Sequence, residues 1–371
     1  MSEVVLHIGM KKTGTTVLQN YLKANVEVLK EHGWKYPEFN GNRNHLNFAV
    51  PFQRKISAFH VMKGLEDPAG RQKFIDDLGA ALEQRVEPGD RWVMTSEFFS
   101  SRLVSHEEVA DAIAFFRQYF DKVTVVVFFR RQEFILPSTY SQSVKDGDSP
   151  RWGWAYCSRR LESFDCLGVY ERWSAAVGPE NVVAIPYSES FKSDSLAVRR
   201  HFGDATGIEM TEEFTAEAGV ENRSLTSEGI EFLRVINPCI PRLTKDRKSN
   251  LPLRAKAVER VMEITRDSDK FVADGPTLVQ VADHYRASNA ELVRRLGGGP
   301  EWDEWLAQTF DSKSVGSRTR ISRRRLNELI TLTSEPAGPV PPELLKVSHL
   351  RRRWGQVKSV LREKFREGRS N

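Results

Sequence analysis

The run from Val4 to Gln19, VVLHIGMKKTGTTVLQ, constrains the fold more than any other part of the chain. An apolar strand, Val4 to Ile8, leads into a loop bounded by Gly9 and Gly14, and then into a helix carrying Val17, Leu18, Tyr21 and Leu22. Unpaired backbone N–H groups and the helix dipole converge at such a turn, and together they attract an anion. The stretch therefore reads as a phosphate- or sulfate-binding loop on an α/β sheet. The plainer alternative is an ordinary strand–turn–helix with lysines on its surface.

The loop's details narrow the kind of anion. A nucleoside triphosphatase loop follows G-x4-G-K-[ST], with a lysine directly after the second glycine. Gly9 and Gly14 keep that spacing and Thr16 stands at the hydroxyl position, but Thr15 occupies the lysine position. The lysines lie earlier, at Lys11 and Lys12. A hydroxyl at Thr15 removes the point charge that serves a β/γ-phosphate pair, whereas a lysine inside the loop reaches a shorter, less charged donor.

The segment HIGMKKTGTT resembles the 5′-phosphosulfate loop of sulfotransferases that use 3′-phosphoadenosine 5′-phosphosulfate (PAPS). It is most similar to the bacterial and Golgi-type carbohydrate sulfotransferases, in which K-T-G-T-T recurs. Lys11 departs from the bacterial pattern, where a histidine is common, and adds a positive charge beside the loop. The resemblance implies that Lys11, Lys12, Thr13, Gly14, Thr15 and Thr16 hold the phosphosulfate.

A second motif bears on the same resemblance. Lys122 to Phe129, KVTVVVFF, is a continuous β-branched and aromatic run, as expected of a strand buried on both faces. It ends at Arg130-Arg131, and a helical pattern follows through Phe134, Ile135, Tyr140 and Val144. Arg130 and Ser138 occupy the positions that, in the family, grip the 3′-phosphate of PAPS. A guanidinium fork and a hydroxyl suit a terminal phosphate, and open α/β sheets bind ligands beyond the carboxyl ends of their strands. The phrase Tyr170-Glu171-Arg172-Trp173 with Gly178 and Asn181 also resembles the carbohydrate enzymes. Relatives contact the nucleotide again after the last strand, which implicates Arg223.

Other strands and helices alternate along the first part of the chain. Strands are expected at Arg91 to Thr95 and Asn181 to Pro186, and helices at His106 to Tyr119, Leu161 to Val177 and Asp194 to Thr206. The resulting fold class is α/β: P-loop-like, in three layers, with a central, mainly parallel sheet between helices and a mostly helical C-terminal region. The expected boundaries are 1–235 for the donor-binding core, 236–335 for a helical extension that completes it, and 336–371 for a Pro-rich linker and C-terminal helix. Helices are expected near Ala255 to Arg266 and Val279 to Leu296, and Thr226 or Ser227 is the cap of an earlier one.

Sulfuryl transfer needs a cation against the charge that builds on the leaving oxygen, and a base for the acceptor proton. Lys12 suits the first task. His45 in EFNGNRNH and Glu97 in TSEFF are the two candidates for the second, with Glu38 behind them. Each has a plain alternative: His45 as a surface-loop histidine, Glu97 as a carboxylate that pairs with Arg130 or Lys12. His7, inside the first strand, reads as a core or supporting histidine with its hydrogen bonds satisfied. Trp152 and Trp154 stack against a sugar face or simply pack.

At 371 residues, 40% hydrophobic and 28% charged, the chain can bury a large core, and no apolar run has membrane-span length. A strand that starts at Val4 argues against a cleaved signal peptide, and Cys157, Cys166 and Cys239 lack disulfide or metal-ligand spacing. A reducing cytoplasm is the expected compartment. The net charge of +5 is localised: from Lys346 onward nine Lys/Arg stand against Glu363 and Glu367, leaving the preceding chain at −2. With Leu350, Trp354, Leu361 and Phe365 the tail reads as a basic amphipathic helix, for a membrane surface or for docking on the body. The arginines Arg318, Arg320, Arg323, Arg324 and Arg325 reach the 3′-phosphate side or are solvated.

The reading that results is a PAPS-dependent sulfotransferase acting on a carbohydrate or glycolipid hydroxyl, releasing adenosine 3′,5′-bisphosphate. It implies no metal, no nucleic-acid partner, and peripheral membrane contact only through the tail. The alternatives are a P-loop-type kinase or other nucleoside triphosphate enzyme, and a non-catalytic glycan- or nucleic-acid-binding protein.

Overall fold

The computed structural model describes residues 1–39, 44–188, 191, 194, 196–211, 213–214, 224–240 and 251–317. Arg223, the arginine group from Arg318 and the basic tail lie outside the described residues, as does the Pro-rich linker. The described chain falls into two compact units, Met1–Thr139 with Cys157–Asn222 and Pro276–Ser312, and Tyr140–Tyr156 with Arg223–Gly275 and the chain from Lys313. Their segments interleave, whereas the boundaries expected from sequence follow chain order.

The first unit is built on four strands, β1 (Glu3–His7), β2 (Arg91–Thr95), β3 (Lys122–Phe129) and β4 (Val182–Pro186), in the order β2-β1-β3-β4. Every pairing is parallel, and the register sets His7 of β1 opposite both Thr95 and Val126. The carboxyl ends of β1 and β2 thus finish level, and the chain leaves both toward one edge.

Its helices are α1 (Thr15–Ala24), α2 (Val26–Glu31), α3 (Ala58–Lys63), α4 (Pro68–Glu83), α5 (Glu97–Arg102) and α6 (His106–Phe116). They continue with α7 (Gln132–Lys145), which ends in the second unit, then α8 (Trp154–Cys157), α9 (Leu161–Phe164), α10 (Cys166–Val177) and α11 (Ala197–Thr206). The second unit adds α12 (Ser227–Ile236) and α13 (Leu251–Ile264), and α14 (Gly275–Arg295) and α15 (Pro300–Ala307) belong almost wholly to the first.

Alternation along β3 explains the layering. Val126 and Phe128 join a cluster with Leu18, Tyr21 and Leu22 of α1 and Val198 and Phe202 of α11. Val125 and Val127, pointing the other way, are equally buried, so helices cover both faces of the strand. Each such side chain contributes about 1.5–3 kcal/mol on burial. Phe99, Phe116 and Trp173 pack edge to face in the other layer, joining α5, α6 and α10.

Two expectations change in detail. The helix expected over Leu161 to Val177 is broken at Asp165, whose backbone is extended (φ −70°, ψ 105°) and starts α10. His7 is fully buried as expected, but neither ring nitrogen has a hydrogen-bond partner. Its ring instead meets Phe128 and Phe202 edge-on at 5.7 and 5.8 Å.

The second unit is helical. Thr226 caps α12, its hydroxyl accepting from the Gly229 amide at 3.1 Å. Arg254, 5% exposed, donates to the carbonyls of Lys145 and Ile240 and to Asn237 Oδ1, closing the end of α7. Gly147 (φ 116°) lies over it: a Cβ there would sit 2.9 Å from the guanidinium carbon. Trp152 packs with Tyr140, Tyr156 and Phe271 and donates to Asp274 Oδ2 at 2.9 Å, while Trp154 is 37% exposed. Among the described residues no helix is long and apolar enough to cross a membrane. Among the described residues Cys157 and Cys166 are buried thiols outside any disulfide.

Candidate active site

After β1 the Ile8 amide still bonds to Val126 O at 3.0 Å, and then the chain turns away from the sheet. Gly9 (φ 43°) makes that departure, because a Cβ there would come within 2.6 Å of Thr15 Oγ1. Gly14 (φ 83°) is the left-handed N-cap of α1, and its missing Cβ leaves room for Val198 of α11, which would otherwise stand 2.9 Å away. Gly14 contributes no side-chain cap, so the first amides of α1 have no side-chain acceptor from that position. This is the geometry that receives an anion at a helix start.

Lys12 also adopts a left-handed backbone (φ 64°), unusual for a non-glycine residue and a sign of local strain. Two side chains hold the loop in that form. The Thr13 hydroxyl, fully buried, donates to Met10 O at 2.7 Å, so Thr13 serves the loop's own shape. Arg130, 5% exposed at the end of β3, donates from Nη1 to Lys12 O at 2.9 Å and lies 5.3 Å over the Tyr187 ring. Lys11 and Lys12 are half-buried and Thr16 is exposed at the loop's outer side, while the Thr15 hydroxyl is buried without a partner.

Ser138, on α7, is half-buried and donates its hydroxyl to Ile135 O at 3.0 Å, within its own helix. It reaches an outside acceptor only by rotating that hydroxyl. Arg131, next to Arg130, is structural: it donates to the carbonyls of Leu306 and Gln308 and pairs with buried Glu133.

The second corner lies at the end of β2. Glu97 is half-buried at the first position of α5, with Ser96 capping the helix by accepting from the Phe98 amide at 3.2 Å. Among the described residues Glu97 makes no ion pair with Lys12 or Arg130. His45, 2% exposed, touches β2 through its ring: Nδ1 accepts from the Thr95 amide at 3.1 Å and Nε2 bonds Pro37 O at 3.0 Å. It is a buried contact, not a surface-loop histidine. Glu38 is exposed, and its backbone carbonyl accepts from Arg85 at 2.7 Å.

Three residues not singled out from the sequence pack against these elements. Ser100 of α5 donates to Gly9 O, and its amide bonds Ile8 O at 3.3 Å, latching the Glu97 helix to the turn that follows β1. Tyr187, just after β4, supplies the face beneath Arg130. Arg199, 8% exposed, stands 4.4 Å over the Tyr21 ring of α1. Ser100 lies one helical turn after Glu97 and Tyr187 directly follows a strand, signals that could have found both; nothing in the sequence marked Arg199.

No family model and no curated protein matches the chain. Among solved structures, a sulfotransferase from Alicyclobacillus acidocaldarius aligns at 12% identity with a TM-score of 0.43, over 81% of this chain and 97% of that one. A sulfotransferase domain from the curacin biosynthetic pathway aligns at 12% identity with a TM-score of 0.33, over 72% and 98%.

Proposed function

We propose that the chain transfers a sulfuryl group from PAPS to an acceptor hydroxyl on a carbohydrate or glycolipid. The observation that carries this reading is the Gly9–Thr16 loop: an anion-receiving helix start with a lysine inside the turn and a threonine where a nucleoside triphosphatase keeps its lysine. In this reading Lys11, Lys12 and the backbone from Thr13 to Thr16 hold the phosphosulfate. Arg130 and Ser138, both following the end of β3, take the 3′-phosphate.

The reaction is an in-line exchange at sulfur. The acceptor oxygen forms a bond to sulfur while the bond from sulfur to the 5′-phosphate oxygen breaks, and that oxygen keeps the electron pair. Lys12 faces the charge that grows there, the role in which a placed cation contributes most to rate. The acceptor proton goes to the Glu97 carboxylate, which is half-buried one helical turn from the Ser100 latch to the loop.

The direct test supplies PAPS and a panel of saccharides without added metal. Adenosine 3′,5′-bisphosphate formed in equal amount with sulfated product is the expected result. Phosphorylated product from magnesium–ATP, with no sulfated product from PAPS, would move the chain to the kinase reading.

A further inference from the structure

His45 sits where a strand would continue. β2 is the outer strand of the sheet, and its free edge is partly covered by Lys35, whose amide bonds Arg91 O at 2.8 Å and whose carbonyl accepts from the Val93 amide at 2.9 Å. Two residues further along, Pro37 has no backbone N–H to offer, and the next outward amide of β2 is that of Thr95. The His45 ring fills this interval. Its Nδ1 accepts the Thr95 amide and its Nε2 reaches Pro37 O, so an imidazole replaces the missing backbone rung.

The two partners determine the ring's state. A carbonyl only accepts, so Nε2 carries the proton; an amide only donates, so Nδ1 carries the lone pair. Both ring nitrogens are committed to backbone, and the ring is 2% exposed between Tyr36 and Phe39. The backbone of His45 is held at φ 29°, a conformation that persists only where surroundings impose it.

What this strut fixes is the corner that carries Glu97. Thr95 is also tied by its hydroxyl to Tyr36 OH at 3.0 Å, and the Ser96 amide bonds His7 O at 3.0 Å. The Ser96 hydroxyl donates to Asn44 Oδ1 at 3.2 Å while accepting from the Phe98 amide. The segment 44–45 thus grips Thr95 and Ser96, and Glu97 follows directly. We propose that His45 is a positioning residue rather than the proton acceptor: as an Nε2–H imidazole bridging Thr95 and Pro37, it aims the Ser96–Glu97 corner at the acceptor. The proposal rests on the sulfuryl-transfer reading, in which Glu97 is the base.

The experiment compares the wild-type chain with His45→Ala, His45→Asn and Glu97→Gln. Asparagine places an oxygen near the Nδ1 position and so restores an acceptor for the Thr95 amide, but it cannot act as a base. Three readouts are taken: ring 15N shifts at neutral pH, affinity for adenosine 3′,5′-bisphosphate, and PAPS consumption with water as the only acceptor. A strut gives a pyrrole-type Nε2 and pyridine-type Nδ1 in wild type. His45→Ala should lose about 10–100-fold in PAPS consumption, as supporting residues around reactive groups do. His45→Asn should recover most of that loss, and Glu97→Gln should stay inactive with bisphosphate affinity unchanged. The opposite tautomer, or a folded His45→Asn as inactive as His45→Ala while both bind the bisphosphate, overturns the strut alone. Wild type that fails to bind the bisphosphate overturns the donor reading instead.

Discussion

Two buried histidines stand at the same level of the sheet and are treated in opposite ways. His7 ends β1 with neither ring nitrogen bonded, whereas His45 rides on Thr95, the register partner of His7, with both nitrogens bonded to backbone. The contrast extends to their surroundings. In the turn after β1 the Thr15 hydroxyl is also left without a partner, and the turn is shaped by glycines and one strained lysine. At the end of β2 the Thr95 amide and hydroxyl and the Ser96 amide and hydroxyl are all used. Buried polar groups without partners are rare in folded proteins and mark places of strain or of function. In the proposed sulfuryl-transfer reading, the first corner is the one left open for the donor's anion and the second is the one that holds the Glu97 carboxylate still.

Substitutions can break or sharpen that contrast. The largest effect is expected at the open corner from Lys12→Ala, about 10²–10³-fold in turnover of PAPS, the scale of losing one placed charge-stabilising group. Steady-state rates check it, with retained bisphosphate binding showing that the loop survives; near-normal turnover would remove Lys12 from the chemistry. Gly14→Ala comes next. A methyl there meets Val198 at 2.9 Å on a backbone at φ 83°, so a loss of about 1–3 kcal/mol in stability is expected by denaturant titration.

His7→Leu sharpens the comparison through pH. Burial pushes the His7 imidazole down to about 3 from its ordinary 6.5. As pH falls below about 6.5 the unfolded chain takes up a proton that the folded chain refuses until about pH 3, so His7 removes stability across that window. The leucine variant should show a shallower acid loss in melting temperature between pH 6.5 and 4, while an unchanged slope would mean the ring is bonded in solution. Smallest is Ser100→Ala, which severs the latch between α5 and Gly9 O at about 1 kcal/mol, seen as a modest drop in melting temperature.

Much of the first unit was legible because its signals are local. β2 and β3 match their expected ranges, since β-branched runs bounded by charged or turn residues have few other uses. The turn between β1 and α1 was legible because two glycines bound it, and Gly9 and Gly14 both adopt positive φ there. Helix α4 was not read from the sequence although Asp67 and Pro68 stand at its start, because only Leu78, Gly79 and Leu82 are buried along it, too few for a clear periodicity. His45 shows the opposite case. Its residue type suggested chemistry, but its environment depends on Pro37 and Thr95, which lie 8 and 50 residues away in sequence. The unbonded state of His7 was equally hidden, because Phe128 and Phe202 surround it only after the sheet forms.

Calorimetry of adenosine 3′,5′-bisphosphate against the metal-free chain, with magnesium–ATP as the comparison, tests the central claim most directly. Micromolar binding of the bisphosphate is expected, weakened strongly in Arg130→Ala because that side chain both holds Lys12 O and ends the strand beside the site. Preference for magnesium–ATP, or binding of neither nucleotide, would contradict a sulfuryl-transfer site at this loop.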